Sequence, residues 1–466
     1  MTKHCIVIGA GLSGLAAAHA LAKKNWKVTV LEARNRLGGR VFTFKFHEAP
    51  DLYCELGGEW VGRDHDSMIR LCKEFKLGKK YKNGLMPHLF DYSFVERGRM
   101  TNSLPPQASP FSKQSNDALD KLKKEYLAHR GNSKKALAWQ KALDSNDWWT
   151  TLRNRNFATE DLSRRDLVDG TDFGESIRTV GGYAAAGEYM EPGSSNATDE
   201  MDFRIEGGNT RLVNALARYV GLANIRTCLE AQSVVFKNGE IIVTARDNRS
   251  DEFDSPLPKI QSETFRADAC ICTVPARVLN DIHFDPPLST VKSNSANQLQ
   301  YARIMKTVML FDNRFWMANK KTRFSCFTDS TSDFLFDSTL LQDGPQGILC
   351  SYAIGDKADD LAARGTEALR TGLEQDLSAI FPNARPKILA IERYPWQKDK
   401  YTQGSYALYR PGQWFSVRDP LTDGHVLAPK LGFPHGRILF AGEHIADEQG
   451  FMEGAVDTGQ IAASHL

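Results

Sequence analysis

No apolar run in this chain is long enough to span a bilayer. No basic segment followed by a removable apolar stretch opens it either: residues 5–8 are already apolar and meet glycine at Gly9. A signal peptide is therefore not expected. Nor is a tail anchor, since the chain reaches Leu466 straight from a predicted helix. Charge of one sign is also missing. The formal net charge is +2 over 466 residues, too small to point to nucleic acid or an anionic membrane. Cysteines number eight and are scattered, with no CxxC pair; Cys270 and Cys272 flank one residue inside an apolar run. That spacing favours neither a zinc site nor a disulfide framework, and reduced thiols in a cytoplasmic protein are the simpler expectation. Internal repeats, low-complexity tracts, a Ser-His-Asp arrangement and a metal-ligand cluster are likewise not seen.

What remains is an ordinary globular composition, 41 % hydrophobic, in a chain too long for one small core. His4–Ile8 reads as a buried strand, Gly9–Gly14 as a glycine-rich turn, Leu15–Lys23 as a helix and Lys27–Leu31 as a second strand ending at Glu32. Residues 105–165 are polar, with Trp139, Trp148 and Trp149 embedded, and predict surface-facing helices, Leu119–Leu127 among them. Gly207-Gly208-Asn209 predicts a turn feeding a helix over Thr210–Val220. Asn238-Gly239 predicts a hairpin between Ser233–Phe236 and Ile241–Ala245, followed by a loop at 247–263. Further strands are predicted at Ala269–Val274, Tyr301–Phe311, Gly404–Tyr409 and Arg437–Ala441, and a last helix at Gly454–His465.

Gly9-Ala10-Gly11-Leu12-Ser13-Gly14 fits the GxGxxG pattern. Its first glycine permits the tight turn, the second lets backbone approach a pyrophosphate, and the third lets helix pack close on strand. The helix N-terminus offers free N–H groups to the phosphates. Glu32, about 20 residues on, can accept ribose hydroxyls. NAD and FAD could use this unit equally. The next residues decide: Ala33-Arg34-Asn35-Arg36-Leu37-Gly38-Gly39-Arg40 resembles the ExxxxxGGR stretch of the FAD family that includes amine oxidases and phytoene desaturases. Arg437-Ile438-Leu439-Phe440-Ala441-Gly442-Glu443 and Gly450-Phe451-Met452-Glu453-Gly454-Ala455-Val456 resemble that family's C-terminal flavin segment.

With Glu55-Leu56-Gly57-Gly58-Glu59-Trp60-Val61-Gly62, these segments make the chain similar to the flavin amine oxidases: monoamine, polyamine and L-amino-acid oxidases. Matching stretches fall at 4–62, 203–236, 268–288, 301–311, 396–412 and 437–464, and the likeness is weakest at 85–200 and 315–390. The resemblance implies a mixed α/β and α+β architecture: a Rossmann-like FAD-binding domain (1–79, 203–285, 399–466) with an interleaved substrate-binding domain of mixed sheet and helices (80–202, 286–398). It implies FAD contacts at Gly9, Gly11, Leu12, Ser13, Gly14, Glu32, Ala33, Arg34, Gly38, Gly39, Arg40, Gly57, Gly58, Glu59, Trp60, Val234, Gly442, Glu443, Phe451, Met452 and Ala455. Val234 would touch the adenine end, and the last helix would point its N-terminus at the flavin O2 side.

Lys306 is the residue expected to take part in chemistry. Ile304, Lys306, Val308 and Leu310 share one face of the predicted strand, with Met305, Met309 and Phe311 on the other. A lysine in such a strand is costly unless paired or functional, and the alternative is a lysine snorkelling from an edge strand. The resemblance implies that Lys306 holds a water near flavin N5 and assists reoxidation by O2, and that Trp396, Tyr406 and Phe451 stand around the reacting centre. Tyr406 and Phe451 would form two walls holding the amine by apolar and cation–π contact. Phe451 replaces the commoner tyrosine, which leaves the amine subtype open. Ser405 stands where some members carry the cysteine that binds flavin covalently, so non-covalent FAD is expected. The implied reaction passes hydride from a small amine to flavin N5; the imine hydrolyses, and O2 takes the electrons to give hydrogen peroxide. Alternatives are an L-amino-acid oxidase, with Arg63 or Arg178 serving the carboxylate, a desaturase or dehydrogenase with another acceptor, and a flavoprotein without turnover. The sequence is compatible with a homodimer.

Overall fold

The computed structural model describes residues 2–87, 91–96, 99–100, 111–190, 202–249, 262–317, 323–422, 437–447 and 449–466. Most of the loop expected at 247–263 lies outside these.

The unbroken apolar run Cys5–Ile8 feeds two cores at once. Cys5 and Val7 join one buried cluster, Ile6 and Ile8 another. Burial on both faces is what a parallel sheet requires. The strand lies at the centre of a five-stranded parallel sheet in the order 438–440, 269–272, 4–8, 27–31, 225–226. Helices Leu12–Lys23, Thr210–Val220 and Met452–Ser464 cover one face. The helices begin earlier than predicted at 12 and 452, because the glycine turns already hold helical geometry there. A Cβ on Gly14 would lie 1.9 Å from the Gly9 carbonyl oxygen, so only glycine lets helix and turn approach this closely.

A four-stranded sheet in the order 263–267, 240–247, 229–237, 283–285 packs on the other face of the parallel sheet. Its hairpin turns at Asn238 (φ 55°) and Gly239 (φ 80°), the left-handed pair that a two-residue turn demands. A bulge between Ala231 and Ser233 shifts the phase of the first strand, so Leu229, Ala231 and Val234 all face the core.

The large sheet has seven strands, in the order 390–395, 304–311, 347–354, 334–337, 324–328, 91–96, 99–100. Met305, Met309 and Phe311 pack under helices Gly355–Ala363 and Thr366–Ile380; Val308 and Leu310 face Phe46, Leu56 and Phe336. The strand expected at Tyr301–Phe311 is broken. Gln300–Tyr301 pairs with Ala407–Leu408, and the chain joins the large sheet only at Ile304. The break falls at Ala302, which exchanges backbone hydrogen bonds with Ser405 and Tyr406. The strand expected over Gly404–Tyr409 is accordingly only two residues long.

The polar helices expected in 105–165 have a core of their own. Leu122, Tyr126, Leu143, Trp148, Leu152 and Phe157 are buried together with Tyr189 of helix Gly182–Met190. A few large apolar side chains at helical spacing suffice for this. Ser112, Ser133 and Asp147 cap three of these helices by accepting backbone N–H bonds. Among the described residues, no helix is long and apolar enough to cross a membrane.

Candidate active site

The sequence motifs meet around one elongated cavity at the C-terminal ends of the parallel strands. Gly9, Gly11, Leu12, Ser13, Glu32, Ala33, Arg34, Gly38, Gly39, Arg40, Gly58, Gly442, Glu443, Phe451, Met452 and Ala455 all line it. In an open parallel sheet this edge is where ligands sit. The cavity suits a dinucleotide on the chain's own geometry. The helix starting at Leu12 and the one starting at Met452 both lack a side-chain cap, so their first N–H groups face outward. Ser13 Oγ is buried there without a hydrogen-bond partner. Glu32 is held by the backbone, accepting from Ala10 N at 2.7 Å and Arg34 N at 2.9 Å. Arg34 is fixed in turn by Asp399 at 2.5 Å.

Arg40 joins the two ends of the chain. Its guanidinium donates to Glu443 Oε1 at 2.5 Å and to the Ser405 carbonyl at 2.8 Å. Glu443 Oε2 accepts from Gly450 N at 3.0 Å, which fixes the turn before the last helix. Glu453, in the same segment, accepts from Ser67 N and Met68 N and anchors helix Asp66–Glu74.

Several expected cofactor residues lie elsewhere. Gly14 is packed between turn and helix. Val234 is wholly buried in the core; Leu229, Glu230 and Ala231 of the same strand line the cavity. Gly57, Glu59 and Trp60 line a second cavity.

That second cavity abuts the first at Gly58, Ser405, Tyr406, Gly450, Phe451 and Met452, which border both. Lys306 and Trp396 line it, as do Ile304, Phe327, Phe334, Phe336, Tyr352, Asp172 and Glu188. Tyr406 is held by its hydroxyl, which donates to the Asp172 carbonyl at 2.5 Å and lies 3.2 Å from the Tyr352 hydroxyl. Trp396 is fixed by an Nε1–H bond to the Leu56 carbonyl at 2.8 Å. The Phe451 ring meets His65 edge to face, with centroids 5.3 Å apart.

Lys306 does not snorkel from an edge. Its strand is hydrogen-bonded on both sides, to 347–354 and to 390–395. Its ammonium donates to Glu59 Oε2 at 2.7 Å, the Gly57 carbonyl at 2.9 Å and the Glu55 carbonyl at 3.3 Å. Three N–H groups thus have three protein acceptors, and a water could take the place of either carbonyl without breaking the ion pair. Burial, the largest influence, works to lower the Lys306 pKa, but Glu59, Cys350 and Glu55 together outweigh it and raise the value above that of an ordinary lysine. Glu59 also accepts from Arg204 at 3.2 Å. Burial pushes the neighbouring Glu55 carboxyl up to about 8, against the opposing bond from Asn209 N. Burial likewise lifts the Asp172 carboxyl well above the usual range, with Asp169 adding to it.

Arg63 pairs with Asp202, and Arg178 lies over the Trp149 ring at 3.4 Å; neither lines either cavity. Sequence reasoning missed Tyr352, Asp172, Glu188 and the three phenylalanines. Only the 334, 336 alternation within one strand hinted at a shared face.

A glycine-rich dinucleotide cavity closed by both chain ends, opening onto an aromatic chamber with a buried lysine, defines a flavin-dependent oxidoreductase. The chain belongs to the flavin containing amine oxidoreductase family, whose model matches residues 12–466, and its cofactor is FAD. It is 24 % identical over 485 residues to an L-amino acid dehydrogenase of Synechocystis sp., covering 99 % of this chain and 94 % of that one. It is 25 % identical over 478 residues to amine oxidase [flavin-containing] A of Canis lupus familiaris (99 % and 84 % covered). The fold is shared with cyclohexylamine oxidase from Brevibacterium oxydans, with a TM-score of 0.81 at 21 % identity over 100 % of this chain and 98 % of that one. A putrescine oxidase bound to putrescine aligns with a TM-score of 0.79 at 22 % identity, over the same shares of the two chains.

Proposed function

We propose that the first cavity holds FAD, without a covalent link, and that the second receives a small amine whose α-carbon meets the cofactor at the shared border. The observation that carries this reading is that border itself: Tyr406 and Phe451 belong to both cavities, with Lys306 on the amine side. The parallel sheet and its four-stranded partner draw on 1–79, 203–285 and 399–466, and the seven-stranded sheet on 80–202 and 286–398. These are the divisions we assign to cofactor and substrate.

Bound FAD supplies the acceptor for two electrons. The amine loses a hydride and a proton and becomes an imine. Water then converts the imine to a carbonyl compound and ammonia or a smaller amine. O2 takes the two electrons and two protons to give hydrogen peroxide. The chain's part is to bind, orient and exclude water. The uncapped helix at Leu12 would receive the pyrophosphate, and Glu32 the ribose. Arg40 and Glu443 would close the cofactor cavity between the two chain ends. Tyr406, held by Asp172 and Tyr352, and Phe451 would flank the amine. Lys306 keeps a proton at Nζ and would place positive charge, with or without a bound water, where O2 is reduced. Serine at 405 supports non-covalent FAD, because it cannot form a thioether. Eight free, buried cysteines support a reducing, cytoplasmic setting.

An amine is favoured over an amino acid because neither Arg63 nor Arg178 reaches the second cavity. The test is anaerobic mixing of the purified flavoprotein with primary amines, polyamines and L-amino acids, followed by air and a peroxide assay. Bleaching by amines with peroxide on aeration is the expected result. Bleaching without peroxide would make the enzyme a dehydrogenase with another acceptor. No bleaching by any donor would overturn the reading in favour of C–C desaturation or an inactive flavoprotein.

A further inference from the structure

Lys306 is the only lysine or arginine among the described residues that line the amine cavity, whereas Glu59, Asp172 and Glu188 are all acids on its wall. Its charge is already matched by Glu59 at 2.7 Å. Behind Glu59 stands Arg204, 2 % exposed, which donates to the other carboxylate oxygen at 3.2 Å and to the Ser338 carbonyl at 2.8 Å. Glu59 itself is 3 % exposed. One carboxylate therefore occupies both buried cations at this end of the cavity.

We propose that Glu59 is a specificity-determining residue: by holding Lys306 and Arg204 it denies a cation to any substrate carboxylate, and so restricts the site to amines that lack an α-carboxylate. This rests on the amine reading of the second cavity. An amine and the corresponding α-amino acid differ by one carboxylate. Entering this chamber, that carboxylate loses its hydration and meets, among the described residues, no lysine or arginine that is not already engaged. Removing the charge of Glu59 while keeping its shape leaves the Lys306 ammonium buried without a counter-charge, a state that favours binding of an anion. The charged and titratable groups facing Lys306 are Glu59, Glu55, Cys54, Cys350 and its strand neighbours Tyr352 and Tyr394. None but Glu59 places a carboxylate against the ammonium within ion-pair distance.

The test uses the holoenzyme and four matched pairs: phenethylamine with L-phenylalanine, tyramine with L-tyrosine, cadaverine with L-lysine and putrescine with L-ornithine. Anaerobic flavin reduction is measured for each. Benzoate is titrated separately against the flavin absorbance, a binding readout independent of turnover. In the wild type the amine of a pair should reduce the flavin at least about 100-fold faster than its amino acid, and benzoate should bind weakly. Glu59→Gln should narrow that gap by about tenfold and tighten benzoate by a similar factor, whereas Glu59→Asp should keep the exclusion. The proposal is overturned if any amino acid reduces the wild type as fast as its amine, or if benzoate binds the wild type and Glu59→Gln equally. The wild-type arms can still overturn the proposal if Glu59→Gln fails to fold, which melting of the cofactor-free protein would reveal. Should no donor reduce the flavin, the amine reading fails, and the benzoate comparison still decides the role of Glu59.

Discussion

Arg40 and Glu443, 403 residues apart in sequence, form an ion pair at 2.5 Å on the wall of the cofactor cavity. It ties the Gly38-Gly39-Arg40 segment to the turn after the last strand, so the cavity exists only once both chain ends have docked. Replacing Arg40 with Ala leaves Glu443 buried without its partner, a loss of about 3 kcal/mol for a buried pair. Titration of cofactor-free protein with FAD should show affinity falling by roughly 100-fold. Wild-type affinity in Arg40→Ala would remove Arg40 from the cofactor site.

Lys306→Met separates the two half-reactions. With Tyr406 and Phe451 untouched, anaerobic reduction by amine should change little. Reoxidation on mixing with O2 should slow by about tenfold or more, because the buried positive charge is gone. Stopped-flow absorbance reads both rates, and an unchanged oxidative rate would rule out this role for Lys306.

Tyr406 offers a ring to the cavity and a hydroxyl to the Asp172 carbonyl. Tyr406→Phe keeps the ring and loses the hydroxyl's bonds to the Asp172 carbonyl and Tyr352, so kcat/KM should fall by no more than about tenfold. Tyr406→Ala also removes the wall and should cost clearly more. Equal effects of the two would show that the ring contributes nothing to amine binding.

Gly14→Ala drives a methyl group to 1.9 Å from the Gly9 carbonyl oxygen, a backbone atom that cannot step aside. A destabilisation of about 3 kcal/mol is expected from such overpacking, with loss of FAD. Thermal melting with and without added FAD measures it; a normal melting temperature would contradict the close packing of turn and helix.

The Glu55 carboxyl, pushed up to about 8 from 4.5, keeps its proton in the folded protein after the unfolded chain has lost it. Stability from this group is fully present below pH 4.5 and is lost as pH rises toward 8. Glu55→Gln should flatten that part of the melting-temperature profile of the cofactor-free protein. An unchanged slope would mean that Glu55 is ionised in the fold.

The short-range parts of the structure were legible in the residues themselves. The β-α-β unit, the Asn238-Gly239 hairpin and the helix over Thr210–Val220 each depend on neighbours a few positions away, where glycine conformation and apolar period act directly. The cofactor motifs are local for the same reason: one turn or one helix end places the donors. The tertiary structure alone decided the rest. The bulge beside Ala231 turned Val234 inward, onto the same face as Ala231, since one extra residue reverses which face a side chain takes. Strands on either side made Lys306 a central residue, and only the folded chain put Glu59, 247 positions away, against its ammonium. The amine chamber gathers Asp172, Phe336, Tyr352 and Tyr406 from separate segments, and no spacing in the chain encodes that meeting. Sequence pattern fixes what a residue does to its own backbone; which side chains share a cavity is set by strand register and by how the sheets and helices pack.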